Sequence, residues 1–170
     1  SALSPCSPLR YWRLVELAAG PGIASSPLRI NEWTLNVLTG VPHLEEQLAG
    51  YARPVTTPPL MAESHGQLAE RIVEHLFACR DRRQLPLVQL CGADAQAKSG
   101  IAALAGRQAG WEMHRLPAEA IPAAPAEWEA FRRLWEREAA INQNVPLVDF
   151  ESNGATDRPH LDAAQRFVES

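Results

Sequence analysis

The stretch Leu85-Pro86-Leu87-Val88-Gln89-Leu90-Cys91-Gly92 decides the fold class of this chain. A short apolar run that ends at a glycine is typical of a strand buried on both faces of a parallel sheet. A helical pattern occupies residues 64 to 80 before the run, opened by the capping-box spacing of Ser64 and Gln67. A second helical pattern follows, with Ile101 and Leu104 on one face. We therefore predict a buried strand between two helices.

The same alternation continues toward the carboxyl terminus. Trp111 to Leu116 predicts a second strand, a helix through Trp128 and Trp135 follows, and Val145 to Phe150 predicts a third strand. A last helical pattern begins near Pro159. Alternating helices and strands favour a parallel sheet with helices on both faces. Residues 64–170 are thus predicted to form a three-layer α/β module with a short parallel sheet.

The residues before this module read as a separate, small helical module over 1–53. Apolar spacing predicts a helix over residues 8–18, Asn31 can cap a second helix, and a third short helix surrounds Leu44 to Leu48. Three such helices favour a winged-helix-like unit. Prolines at 54, 58 and 59 remove amide donors, so residues 54–63 are predicted to be a linker.

Composition excludes several classes of protein. The 170 residues are 46% hydrophobic and 21% charged, with a formal net charge of −4, which is the balance of a globular protein rather than a disordered one. No overall positive field attracts nucleic acid or a membrane surface. No apolar run approaches the roughly twenty residues that span a bilayer, so we expect a cytoplasmic protein. Three scattered cysteines and five histidines lack metal-ligand spacing, and we expect no metal site.

The residues after the first predicted strand carry the chemistry. Gly92-Ala93-Asp94-Ala95-Gln96-Ala97-Lys98-Ser99 differs from the phosphate-binding pattern G-x-x-x-x-G-K-[ST] only at Ala97. In such a loop the backbone amides surround a phosphate, the lysine neutralises it, and the hydroxyl holds magnesium. Lys98 is the only lysine among sixteen basic residues. About fifty residues later the third strand ends with Asp149 and Glu151, and alternate strand residues face the same way.

Residues 8 to 151 resemble the front part of a bacterial AAA+ ATPase with a winged-helix-like N-terminal module. The resemblance lies in Ser26 to Gly40, Pro86 to Gly92, Ala97-Lys98-Ser99 and the Leu147 to Glu151 strand. It implies a partial P-loop NTPase-like module that binds ATP and magnesium. The family's roles would make Gly92, Lys98, Ser99 and Asp149 nucleotide-binding residues and Glu151 the catalytic residue.

This family also needs later strands, an arginine finger and a helical lid, and the chain ends before them. We therefore expect a non-catalytic or weakly nucleotide-binding N-terminal region of an ATPase, with no turnover by this chain alone. Its partners would be proteins, the remaining modules of the parent ATPase or further copies of itself. Two alternatives stay open: a DNA-binding winged-helix regulator with an attached α/β module, and a small phosphotransferase that uses Lys98 and Asp149.

Overall fold

The structure, a computed structural model, describes residues 4, 7–18, 20, 25–41, 43–58, 61–79, 86–151 and 157–170. Within these residues the chain is mixed α/β, with seven α-helices and two small sheets, which confirms the predicted class. Contacts divide the chain into two units, Ser1–Glu46 and Gln47–Ser170. The boundary between the units lies before the predicted linker 54–63. Arg53 and Pro54 belong to the second unit, and they pair with one of its strands.

The first unit combines short helices with a two-stranded sheet. Its elements are α1 (Pro8–Tyr11), β1 (Val15–Leu17), β2 (Leu28–Ile30) and α2 (Glu32–Leu38). The predicted helix over 8–18 is wrong after Tyr11, since Arg13 has a positive φ of 52° and β1 pairs antiparallel with β2. That pairing involves residues distant in sequence, which local periodicity does not register. Asn31 caps α2 as predicted, and its side chain accepts a hydrogen bond from the Trp33 amide at 3.0 Å.

The second unit contains most of the helices and a three-stranded sheet. In chain order its elements are α3 (Glu46–Ala49), which begins at the last residue of the first unit, β3 (Arg53–Pro54), α4 (Glu63–Ala78), α5 (Ala95–Ala109), β4 (Glu112–Pro117), α6 (Pro125–Asn142), β5 (Asn144–Asp149) and α7 (Arg158–Glu169). The capping box predicted at Ser64 is wrong. The helix already starts at Glu63, and the carbonyl of Ala62 accepts the amides of His65 and Gly66.

The sheet of the second unit has the order β3-β4-β5. Strands β4 and β5 are parallel, with Glu112 opposite Asn144 and Pro117 opposite Asp149. The two-residue strand β3 runs antiparallel to β4. The predicted parallel pairing is therefore confirmed for the second and third predicted strands.

Helices cover both faces of this sheet. The backbone of Gly106 in α5 lies so close to the Met113 side chain that a Cβ would not fit between them. The ring of the next residue, His114, lies edge-on against Trp135 of α6, with 6.3 Å between centroids. Neighbouring strand residues point to opposite faces, so α5 and α6 lie on opposite sides of β4.

The remaining helices extend these two layers. On the α5 side, Ala69 of α4 forms a buried cluster with Ile101 and Ala105 of α5. On the α6 side, the Phe131 ring of α6 lies 5.6 Å from the Phe167 ring of α7. The second unit is thus a sheet between a layer of α4 and α5 and a layer of α6 and α7.

The first predicted strand does not form. Residues Pro86–Cys91 have no helix or strand assignment, and the Leu87 side chain is 62% exposed; Leu85 lies outside the described residues. None of their backbone groups is hydrogen-bonded to the backbone of another described residue. The prediction of a buried strand is wrong because an apolar run becomes a strand only when a neighbouring backbone pairs with it. Among the helices of the described ranges, none is long and apolar enough to cross a membrane.

Candidate functional site

The five residues that the sequence singles out line one cavity. Gly92, Lys98, Ser99, Asp149 and Glu151 all border a cavity of about 930 Å³ in the second unit. Gly92 precedes α5, Lys98 and Ser99 lie in the first turns of α5, and the two acids lie at the carboxyl end of β5. The structure therefore brings together residues that are more than fifty positions apart.

Lys98 reaches across to the end of β5. Its ammonium forms an ion pair with Oε2 of Glu151. The Lys98 side chain is 17% exposed and that of Glu151 is 59% exposed, so solvent screens the pair and it contributes little to stability. Its consequence is chemical: the sole lysine of the chain is already neutralised by a carboxylate.

Asp149 is held by an arginine from the neighbouring strand. Arg115 donates from Nε to Oδ2 of Asp149 at 2.8 Å and makes a second bond from its terminal nitrogen to the same oxygen. The amide of Glu151 donates to Oδ1 at 2.9 Å. Burial raises the pKa of Asp149, but the Glu151 amide, Arg115 and the charge of Lys98 outweigh burial and hold it below its usual range. Asp149 is therefore a carboxylate with both oxygens engaged.

The turn before α5 is a capped helix start. The α5 helix begins at Ala95, and the Asp94 side chain accepts a hydrogen bond from the Ala97 amide at 2.9 Å. A phosphate loop instead leaves such amides free for an anion. The carboxylate of Asp94 thus occupies one of the donors that a phosphate would use. Its negative charge also offsets the positive end of the helix dipole.

Gly92 and Ser99 keep features of a ligand loop. Gly92 has a φ of +151°, which favours glycine, and a Cβ built there would meet nothing within 4 Å. Ser99 is half-buried and borders the cavity one residue after Lys98. The turn therefore leaves open space at Gly92.

Magnesium and ATP do not fit this arrangement as it stands. The Asp149 oxygens that would face a metal are bound by Arg115 and the Glu151 amide. The Ala97 amide and the Lys98 ammonium, which would face a phosphate, are bound by Asp94 and Glu151. No group of three or more His, Cys, Asp or Glu side chains suited to a metal ion occurs in the part of the chain that the structure describes.

Sequence reasoning missed two residues of the site. Asp94 had a recognisable signal, since an aspartate directly before an apolar-periodic segment is a typical N-cap. Arg115 had a weaker one: it is a charged residue inside a predicted strand, facing the same way as Met113. Asp149 was predicted as a site residue, but its contact with Arg115 became visible only with the register of β4 and β5, in which Pro117 lies opposite Asp149.

Comparisons with protein-family models, curated proteins and solved structures found no match to this chain. The resemblance to AAA+ ATPases therefore rests on the motifs quoted above.

Proposed function

We propose that this chain is a non-catalytic or weakly nucleotide-binding N-terminal region of a AAA+ ATPase, and that it gives the parent ATPase a docking or assembly surface. The Lys98–Glu151 ion pair beside Asp149 carries the proposal. It joins the end of the loop-like segment to the end of β5, which is where a P-loop ATPase gathers its lysine and acids. The same pair neutralises the lysine.

A phosphate would have to displace two carboxylates of the chain itself. Asp94 holds the Ala97 amide, and Glu151 holds Lys98. Each displacement replaces a charge-assisted interaction with a similar one, so the net gain in binding free energy is small. Hydrolysis further requires metal, positioned water and a cation together, and Arg115 already engages Asp149. These contacts support weak binding without turnover.

Calorimetry with MgATP and MgADP tests the nucleotide half of the proposal. We expect a Kd above about 1 mM for the full chain and no measurable heat for Lys98→Ala. Arg107→Ala, which removes a cation from the far end of the same helix, is the matched control and keeps the heat of the parent chain. Magnesium-dependent ATP consumption above a protein-free blank that Lys98→Ala abolishes would contradict the non-catalytic proposal and favour the phosphotransferase alternative.

Gel mobility shift with duplex DNA at low salt tests the DNA-binding alternative. No lysine or arginine occurs in α2, the longest helix of the first unit. We expect no shift, because DNA affinity depends mainly on cations that meet phosphates. A shift that disappears as salt rises would contradict the proposal.

A further inference from the structure

Four charged side chains of the candidate site are linked by successive contacts. Arg115 of β4 donates to Oδ2 of Asp149, and Oδ1 of the same carboxylate accepts the amide of Glu151 at 2.9 Å. The Glu151 side chain in turn pairs with Lys98 of α5. Two cations and two carboxylates therefore neutralise one another across two strands and a helix.

Glu151 is anchored by its backbone and exposed at its side chain. Its amide is bound by Asp149, which places the residue beside the start of α5, while its side chain is 59% exposed. An ion pair with so exposed a carboxylate costs little free energy to break. The Lys98 side chain is 17% exposed, so its ammonium gains more from an anionic partner than a fully hydrated lysine would. The pair can therefore exchange one anion for another.

A phosphate group at this site would compete with Glu151 in two ways. It would need the ammonium of Lys98, which the Glu151 carboxylate already uses. It would also lie close to that carboxylate, and like charges repel each other. Both effects lower the affinity for phosphate, and both arise from one side chain.

We propose that Glu151 is an autoinhibitory residue, whose carboxylate closes the phosphate site by occupying Lys98, and that the site binds phosphate groups more tightly once this contact is broken. The inference rests on the proposed weak nucleotide binding and names the contact that keeps it weak. Arg115 and Asp149 are positioning residues in this arrangement, because they fix the Glu151 backbone.

NMR of the Lys98 ammonium tests the contact itself. Lys98 is the only lysine of the chain, so labelling with ¹⁵N-lysine gives one side-chain signal. We expect Glu151→Gln to shift this signal, because the ammonium loses its carboxylate. Glu169→Gln is the matched control: Glu169 borders the same cavity, but its carboxylate accepts from Gln165 at 3.0 Å. Both variants remove one negative charge, and only the first should move the Lys98 signal.

Titration with pyrophosphate in the absence of magnesium tests the inhibition, with phosphorus NMR of the ligand as the readout. We expect Glu151→Gln to bind at least about fivefold more tightly than the unmodified chain, and Glu169→Gln to stay within about twofold. Adding Lys98→Ala to Glu151→Gln should remove the gain. Circular dichroism checks that each variant folds. If Glu151→Gln does not fold, Glu151→Ala and Glu169→Ala form the same comparison.

Several results would overturn the inference. An unchanged Lys98 signal in Glu151→Gln would show that the pair does not form in solution. Equal pyrophosphate affinities of Glu151→Gln and Glu169→Gln, a gain that survives Lys98→Ala, or no pyrophosphate binding by any variant would overturn it as well. The proposed function fails separately, through magnesium-dependent ATP consumption by the unmodified chain, which a titration without magnesium does not measure.

Discussion

Two apolar segments of six residues each border the same cavity, and only one of them is a strand. Asn144–Asp149 forms β5 and pairs residue by residue with β4. Pro86–Cys91 has the same kind of sequence but no described backbone partner, and Leu87 and Val88 are exposed. Local sequence favours an extended backbone in both. The difference shows that a partner strand, rather than apolar composition, determines which segment becomes part of the sheet.

The largest expected difference concerns the same substitution in paired and unpaired segments. Leu116 of β4 is fully buried, so Leu116→Ala is expected to lower the free energy of unfolding by about 2–5 kcal/mol. Leu87→Ala, at a side chain 62% exposed, should change it by no more than about 0.5 kcal/mol. Urea denaturation of the two variants measures both values. Equal losses would mean that Pro86–Cys91 packs as tightly as the sheet.

Amide hydrogen exchange compares the two segments without mutation. The β5 amides that pair with β4 should exchange on the order of 100-fold more slowly than those of Leu87–Cys91, because unpaired amides exchange without unfolding. NMR exchange in deuterated buffer measures the ratio. Similar protection in both segments would contradict the comparison.

The helices that follow these two segments each begin with an aspartate N-cap, and replacing the caps distinguishes an effect on stability from an effect on anion binding. Asp94 caps α5, and Asp157 caps α7 by accepting the His160 amide at 3.2 Å. Replacing either by alanine is expected to lower the free energy of unfolding, because each helix loses its N-cap. Only Asp94→Ala should also strengthen pyrophosphate binding, because it frees the Ala97 amide beside Lys98. Calorimetry with pyrophosphate checks this, and equal affinity in the two variants would contradict the assignment of Asp94.

The smallest expected effect concerns the charge at the end of β5. Arg115→Met removes two hydrogen bonds and a positive charge from Asp149, so its lowered pKa should rise toward the ordinary value of about 3.9. A lowered carboxyl pKa stabilises the fold above the unfolded-state pKa, and this stabilisation disappears as pH falls through the folded-state pKa. In Arg115→Met the acid-side loss of stability should therefore become smaller.

Carboxyl carbon NMR of labelled Asp149 measures that pKa directly. Arg107→Met is the control, since Arg107 lies in the last turn of α5 and forms no part of the Asp149 contacts. An unchanged Asp149 titration in Arg115→Met would show that the arginine does not hold this carboxylate in solution.

Much of the second unit was predictable from the sequence. The helices α5, α6 and α7 and the strands β4 and β5 occur where apolar periodicity indicates them. The meeting of Lys98 with the end of β5 was also predictable, because a helix that follows a strand-like segment and the end of the third predicted strand belong to one edge of an α/β module. Position along the chain was sufficient for these features.

Other features depended on contacts between distant residues. The hairpin of β1 and β2 replaced part of a predicted helix, and Arg115 became a site residue only through the register of two strands. The capping of the Ala97 amide by Asp94, by contrast, is a local contact over three residues, and its signal is present in the sequence.

By itself, the sequence determined where the chain is apolar, where helices begin and end in the second unit, and which charged residues stand at the ends of predicted strands. Only the tertiary structure decided that Pro86–Cys91 stays outside the sheet while Asn144–Asp149 enters it. Periodicity is a property of consecutive residues, whereas a β-ladder needs hydrogen bonds from a backbone distant in sequence. Which segment obtains that partner is decided by how the helices α4, α5, α6 and α7 pack around the sheet.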